Sequence, residues 1–216
     1  QIIVQQVIPI PLKDKIVQRT SDVWNTVQQF SSGEWTKIKA PSGTGKTTLT
    51  NILYKLRFDF EGTVLWDNVS ITSINGDALA NIRQQKLSVV FQDLRLFGNL
   101  TAKENIELNR VLQEPYYDAS VIEIMAEQLG VKHILNQRAA VCSYGEQQRI
   151  AIIRALIQPF EFLLLDEPFS HLDKANTAIA AALVAEECKK RNAGFILTDL
   201  DDDDHFEYSR KLSLNI

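Results

Sequence analysis

The chain is expected to fold as an α/β protein with a mostly parallel central sheet and a helical block inserted in it. Three features predict this. Short apolar runs at 162–165 (Phe-Leu-Leu-Leu) and 195–198 (Phe-Ile-Leu-Thr) read as strands buried on both faces. Helical patterning separates these runs, as parallel strands joined by crossovers require. From 94 to about 137 the strand signal gives way to a long helical stretch. At 216 residues the chain can bury a substantial core as one large domain, or as a domain with a subdomain.

Taken in order, residues 2–8 read as a strand. Residues 9–20 carry Pro9, Pro11 and charges, and suggest a loop or sheet edge. Residues 35–39 alternate apolar and polar and form a strand feeding a glycine-rich loop. A helix follows from Lys46, with Leu49, Ile52, Leu53 and Leu56 on its apolar side. A strand is expected at 62–67, a short helix at 77–84 and a buried strand at 87–91. The helical block is broken at Gly98-Asn99 and Glu114-Pro115. A helix runs from Gly145 to 157, a central strand covers 162–165 and a long alanine-rich helix 173–190. Strands at 195–198 and 211–214 complete the pattern, with no internal repeat or low-complexity linker.

The most specific motif is Ser42-Gly43-Thr44-Gly45-Lys46-Thr47-Thr48, set between a strand and a helix. Backbone N–H groups and the positive end of the helix would cradle phosphate oxygens, and glycine lets the backbone approach them. Lys46 would reach the β/γ-phosphates and Thr47 would place its hydroxyl on Mg²⁺. Ala40 stands where this pattern has its first glycine, which a negative φ would tolerate. Downstream, Asp166-Glu167 follows the buried run 162–165, at the strand end where open α/β sheets bind ligands. Asp166 is placed to hold the metal and Glu167 to polarise an attacking water. An acidic turn alone would be weak evidence; behind a phosphate loop it is strong.

The formal charge of −4 and the lack of a basic stripe argue against a general nucleic-acid binder. The only cysteines, Cys142 and Cys188, have no metal-type spacing, and a reducing compartment is the default. No stretch approaches the length of a membrane span and no signal peptide is apparent, so a cytoplasmic location is expected, with any membrane contact made through a partner.

With Gln92 after Val89-Val90-Phe91, Ser143-Tyr144-Gly145-Glu146-Gln147-Gln148-Arg149, and Ser170-His171-Leu172-Asp173 added, the chain resembles the nucleotide-binding subunit of an ATP-binding cassette (ABC) transporter. The stretch 96–108 resembles the short bacterial subgroup of lipoprotein release, macrolide export and cell division. The likeness covers nearly the whole chain. It implies a P-loop NTPase fold with an N-terminal antiparallel β portion and an inserted α-helical subdomain. The nucleotide-binding core would comprise 1–92 and 146–216, and the insertion 93–145. It further implies that ATP and Mg²⁺ bind, with Thr47, Gln92 and Asp166 at the metal. Ser143 and Gly145 would face the γ-phosphate of ATP on a second subunit, and Asp173 would couple the two sites. The implied partners are an integral membrane transporter subunit and a homodimeric or heterodimeric ABC subunit. The protein would then sit peripherally on the inner face of the cell membrane.

Three departures bear on activity. Tyr144 and Glu146 replace a glycine and a glutamine of the family signature, and Asp199 takes the position of a switch histidine that contacts the γ-phosphate. Ionised aspartate cannot donate a hydrogen bond and repels phosphate. The acidic run 201–204 reads as a solvated loop, with His205 beyond it; His133 and His171 read as incidental. The aromatic platform expected for adenine is missing from 15–20, leaving Trp24 either as that platform or as a packed strand residue. The expected function is an energy-coupling ATPase. The alternative is a nucleotide-gated clamp on a membrane partner, with slow or absent hydrolysis. A DNA-repair or translation ATPase would carry a coiled-coil insertion or a second cassette, and a P-loop kinase would lack the signature helix; both are disfavoured.

Overall fold

The computed structural model describes residues 1–16 and 20–215. It contains two sheets. A parallel sheet has the order β6 (Leu87–Val90), β7 (Phe162–Asp166), β8 (Gly194–Asp199), β3 (Trp35–Lys39), β9 (Arg210–Ser213). An antiparallel sheet has the order β2 (Val27–Phe30), β1 (Ile2–Pro9), β4 (Phe60–Trp66), β5 (Val69–Ser70). The expected mixed α/β architecture, with its antiparallel N-terminal portion, is therefore present.

The central strands β7 and β8 are buried on both faces because each is covered twice. Ile38, Leu164 and Ile196 pack with α2 (Lys46–Leu53) and the antiparallel sheet. Trp35, Leu163, Leu165, Phe195 and Leu197 pack with α6 (Tyr144–Ile157) and α7 (Lys174–Arg191). Register sets the site: Asp166 pairs with Thr198 and Lys39 with Asp199, so the ends of β3, β7 and β8 finish side by side.

Several elements differ from expectation. Within 9–20, Ile10–Leu12 form a 3₁₀ turn and Lys13–Ile16 a one-turn helix, α1. Pro11 suits the first turn, where its missing N–H costs nothing. The part of the 9–20 expectation that falls on 17–19 lies outside the described residues. The β2 edge strand and the two-residue β5 were not anticipated, because Gln28-Gln29 dilutes the apolar pattern and β5 is too short to show a period. Trp24 lies in the turn before β2, not in a strand. The helical stretch divides into α4 (Ala102–Val111), α5 (Ser120–Gln128) and two 3₁₀ turns. A capping box of Thr101 and Glu104 fixes the start of α4. The helix expected at 77–84 is α3 (Gly76–Gln85), with the Asn75 side chain accepting from Ala78 N–H. Both cysteines are free and buried. No helix among the described residues is long and apolar enough to cross a membrane.

Candidate active site

The loop from Ala40 to Gly45 leaves β3 and turns into α2 through left-handed glycines, Gly43 (φ 80°) and Gly45 (φ 102°). A Cβ on Gly45 would come within 2.9 Å of Leu12 Cδ1 and 3.0 Å of the Trp24 ring, so glycine is required there by space as well as by φ. Ala40 keeps a negative φ and is fully buried, which is why it can replace glycine. No side chain caps α2, so its first N–H groups face the cavity without a side-chain acceptor.

Ser42, Gly43, Gly45, Lys46, Thr47, Thr48, Gln92, Glu167 and Leu12 line a cavity of about 270 Å³. Lys46, nine-tenths buried, folds back on the loop: Nζ donates to Ala40 O at 2.9 Å and lies 3.2 Å from Glu167 Oε1. The Thr47 hydroxyl donates to Gln92 Oε1 at 3.1 Å. The sequence-predicted residues of this chain's own site thus meet: the loop, Lys46, Thr47, Gln92, Asp166 and Glu167.

Asp166 is fully buried. Its Oδ1 accepts from the Thr198 hydroxyl at 2.9 Å, and its Oδ2 is buried with no hydrogen-bond partner. Burial pushes the carboxyl above its usual range; Thr47, Thr198 and Lys46 oppose this. An orphaned carboxylate oxygen is costly unless something else satisfies it. A hard divalent cation held by Thr47, Gln92 and Asp166 fits that oxygen-rich donor set.

Glu167 adopts a left-handed conformation (φ 48°), uncommon for a residue with a side chain. The surroundings impose it. Its N–H donates to Thr198 O at 2.9 Å, and its carbonyl accepts from the buried Gln148 side chain at 3.2 Å. Gln148 Oε1 also accepts from His171 N–H at 2.9 Å, tying α6 to the segment after β7. Gln148 belongs to the signature stretch 143–149 but has no role of its own in the sequence reading; a glutamine just ahead of the buried helical run 150–157 was the available signal.

Ser143, Gly145 and Asp173 lie away from this cavity, on helix starts. Ser143 caps α6. Its N–H and hydroxyl both donate to Glu146 Oε2 at 2.8 Å, which holds the Glu146 carboxyl below its usual range. A side chain on Gly145 would meet His171 O at 2.9 Å, so this close approach needs glycine. Tyr144 packs on His171, with ring centroids 4.1 Å apart. Asp173 caps α7 by accepting from Asn176 N–H at 2.8 Å.

The acidic loop departs from expectation. Rather than being solvated throughout, it folds back on β3. Asp203 pairs with Lys37, a buried lysine that also lies 3.7 Å from Asp199, and Asp202 pairs with Lys39. The cause is visible in β3: two lysines on one face of a covered strand need counter-charges. Asp203 also accepts from the Tyr208 hydroxyl. Burial opposes its ionisation, but Lys37 and Tyr208 outweigh burial and hold its carboxyl below the usual range. Asp199 accepts from Leu200 N–H at 2.7 Å. His205 packs edge-on to Phe169 at 5.8 Å, outside the cavity lining.

Asp203→Asn should therefore destabilise the fold by about 2–3 kcal/mol at pH 7, less than the ~3–5 typical of an uncompensated buried charge, because Asp199 remains beside Lys37. A carboxyl depressed on folding stabilises fully above its ordinary value of 3.8 and loses that contribution as pH falls through the folded value. The variant and wild type should converge only below about pH 4. Denaturant titrations across pH test this; equal stability at pH 7 would contradict it.

Trp24 is buried rather than free to stack on a base, and its indole N–H donates to Thr44 O at 3.0 Å, bracing the phosphate loop.

Residues 25–170 match the family model described as ABC transporter. The Glucose import ATP-binding protein GlcV of Saccharolobus solfataricus is 33% identical over 216 residues, covering 99% of this chain and 60% of that protein. The chain thus spans less than two thirds of that relative. The Lipoprotein-releasing system ATP-binding protein LolD of Buchnera aphidicola is 34% identical over 176 residues, covering 80% of this chain and 76% of LolD. Among solved structures, the dimeric bacterial ABC transporter cassette MJ0796 superposes with a TM-score of 0.78 at 26% identity, covering 93% of this chain and 88% of that one. The same cassette has also been solved as a dimer in a post-hydrolysis state bound to ADP and Pi.

Proposed function

The chain belongs to the ABC transporter family, and on that premise we propose that it is an ATP-binding and ATP-hydrolysing subunit that powers a membrane transporter or transporter-like complex. The observation that carries this reading is the convergence of Lys46, Thr47, Gln92 and Glu167 on one cavity at an uncapped helix start, with the buried Asp166 next to Glu167 in the chain. Residues 42–48 would bind the triphosphate. Thr47, Gln92 and Asp166 would hold Mg²⁺, which neutralises charge across the β- and γ-phosphates. Lys46 would leave Ala40 O and Glu167 for the phosphates, and the freed Glu167 carboxylate would accept a proton from the attacking water.

Ser143 and Gly145 would serve a second subunit's nucleotide in a head-to-tail dimer, homomeric or heteromeric, with Asp173 coupling the two sites. Glu146 occupies both the N–H and the hydroxyl of Ser143, so an arriving γ-phosphate would have to displace this carboxylate. Residues 93–145 would form the helical subdomain that engages an integral membrane partner, placing the protein peripherally on the inner face of the cell membrane.

The second reading, a nucleotide-gated clamp with slow turnover, is favoured by Asp199. In this reading Asp199 would take the position of the γ-phosphate donor; its carboxylate lies 3.7 Å from Lys37 Nζ, and it is not among the residues lining the cavity. Losing one such donor costs about 10²–10³ in rate. Steady-state phosphate release from Mg-ATP tests both readings. Wild type should turn over slowly and Asp199→His should raise the rate about 10-fold or more. Brisk wild-type turnover with no gain in the variant would show that Asp199 is no handicap.

A further inference from the structure

We propose that Gln148 is a positioning residue for hydrolysis, its buried amide holding Glu167 in the left-handed backbone conformation that keeps its carboxylate on the cavity. The inference rests on the reading of Glu167 as the group that accepts a proton from the attacking water.

Left to itself, Glu167 has two reasons to abandon that conformation. A residue with a Cβ is strained at φ 48°. Pro168 follows it, and the residue before a proline is pushed towards extended backbone. Relaxation would swing the side chain off the cavity wall and away from Lys46 Nζ, now 3.2 Å from Glu167 Oε1. Thr198 O holds the N–H of Glu167 at 2.9 Å, but that bond alone leaves the carbonyl side free to turn. On the carbonyl side, Ser170 N–H reaches Glu167 O at 3.4 Å from within the same turn. Gln148 Nε2 donates to it at 3.2 Å from a separate element, α6.

This anchor calls for an amide. Glu167 O needs a donor and His171 N–H needs an acceptor. Gln148 supplies both, with His171 N–H donating to Oε1 at 2.9 Å. Nε2 also lies 3.4 Å from the Ser170 hydroxyl, which bonds His171 Nδ1 at 2.8 Å. The side chain is 1% exposed, so no open path lets water replace it. One turn earlier, α6 meets the same segment at Gly145, where a Cβ would come within 2.9 Å of His171 O. Residues 167 and 171 are thus fixed to one rigid helix, and Gln148 itself stays out of the cavity lining.

Phosphate release and calorimetric Mg-ATP titration test this on the full chain, in wild type, Gln148→Met, Glu167→Gln and the double variant. Methionine keeps the length of the side chain and removes both hydrogen bonds. Gln148→Met should lower kcat about 10–100-fold, the scale of a misplacement of about 1 Å, with KM and Mg-ATP affinity within about threefold of wild type. In the Glu167→Gln background the same substitution should change the rate by less than about twofold, because no base remains to be misplaced. Gln148→Ala, which adds no bulk against His171, should give the same results if methionine disturbs the fold. Wild-type kcat in a folded Gln148 variant, or an equal fold-loss with and without Glu167, would overturn the inference and leave the functional reading standing. A Glu167→Gln protein that turns over as fast as wild type would remove Glu167 as the base, and this inference with it.

Discussion

Glu167→Gln is expected to lower phosphate release by about 10²–10⁴-fold, the usual contribution of a general base, while Mg-ATP still binds. The backbone of residue 167 is fixed by Thr198 and Gln148, through main-chain atoms that the substitution leaves in place. Glutamine keeps the size of the side chain and an oxygen that can face Lys46, but it cannot accept a proton from water. Nucleotide bound between two subunits would then persist, and the chain should sediment as a dimer in Mg-ATP and as a monomer without it. A variant that stays monomeric with ATP at high concentration would exclude a homodimer and require a second, different cassette. Retained turnover would remove Glu167 from its catalytic role.

Most of the site was legible because its parts are local. The phosphate loop needs glycines at fixed places between a strand and a helix, and Asp166-Glu167 needs only the end of a buried strand; both leave a pattern in the sequence. The central strands were legible for the same reason, since 162–165 is apolar at every position. What stayed hidden depends on partners distant in sequence. Lys37 and Asp203 lie 166 residues apart, and neither alone distinguishes a buried pair from two solvated charges. Two lysines on one face of an otherwise covered strand, read with the run 201–204, carried the signal. Trp24 was ambiguous because tryptophan serves equally as a platform or a strut, and only its bond to Thr44 O decides between them. Leu12 could not stand out, because an isolated leucine after a proline marks nothing by itself. β2 was missed because an edge strand needs little apolar character, and its two glutamines cost it nothing there.

The account stands on Lys46 as the cation of a triphosphate site. In Lys46→Ala the loop glycines, the start of α2, and Thr47 with Gln92 all remain. The lost group is an ammonium that now rests between Ala40 O and Glu167. A hydrogen bond to a charged partner is worth about 1.5–3 kcal/mol, so Mg-ATP should bind about 10–150-fold more weakly. Calorimetric titration of wild type and Lys46→Ala, with circular dichroism to show that both are folded, is the most direct measurement. The account predicts binding by wild type and that loss in the variant; equal affinity in a folded Lys46→Ala protein would contradict it.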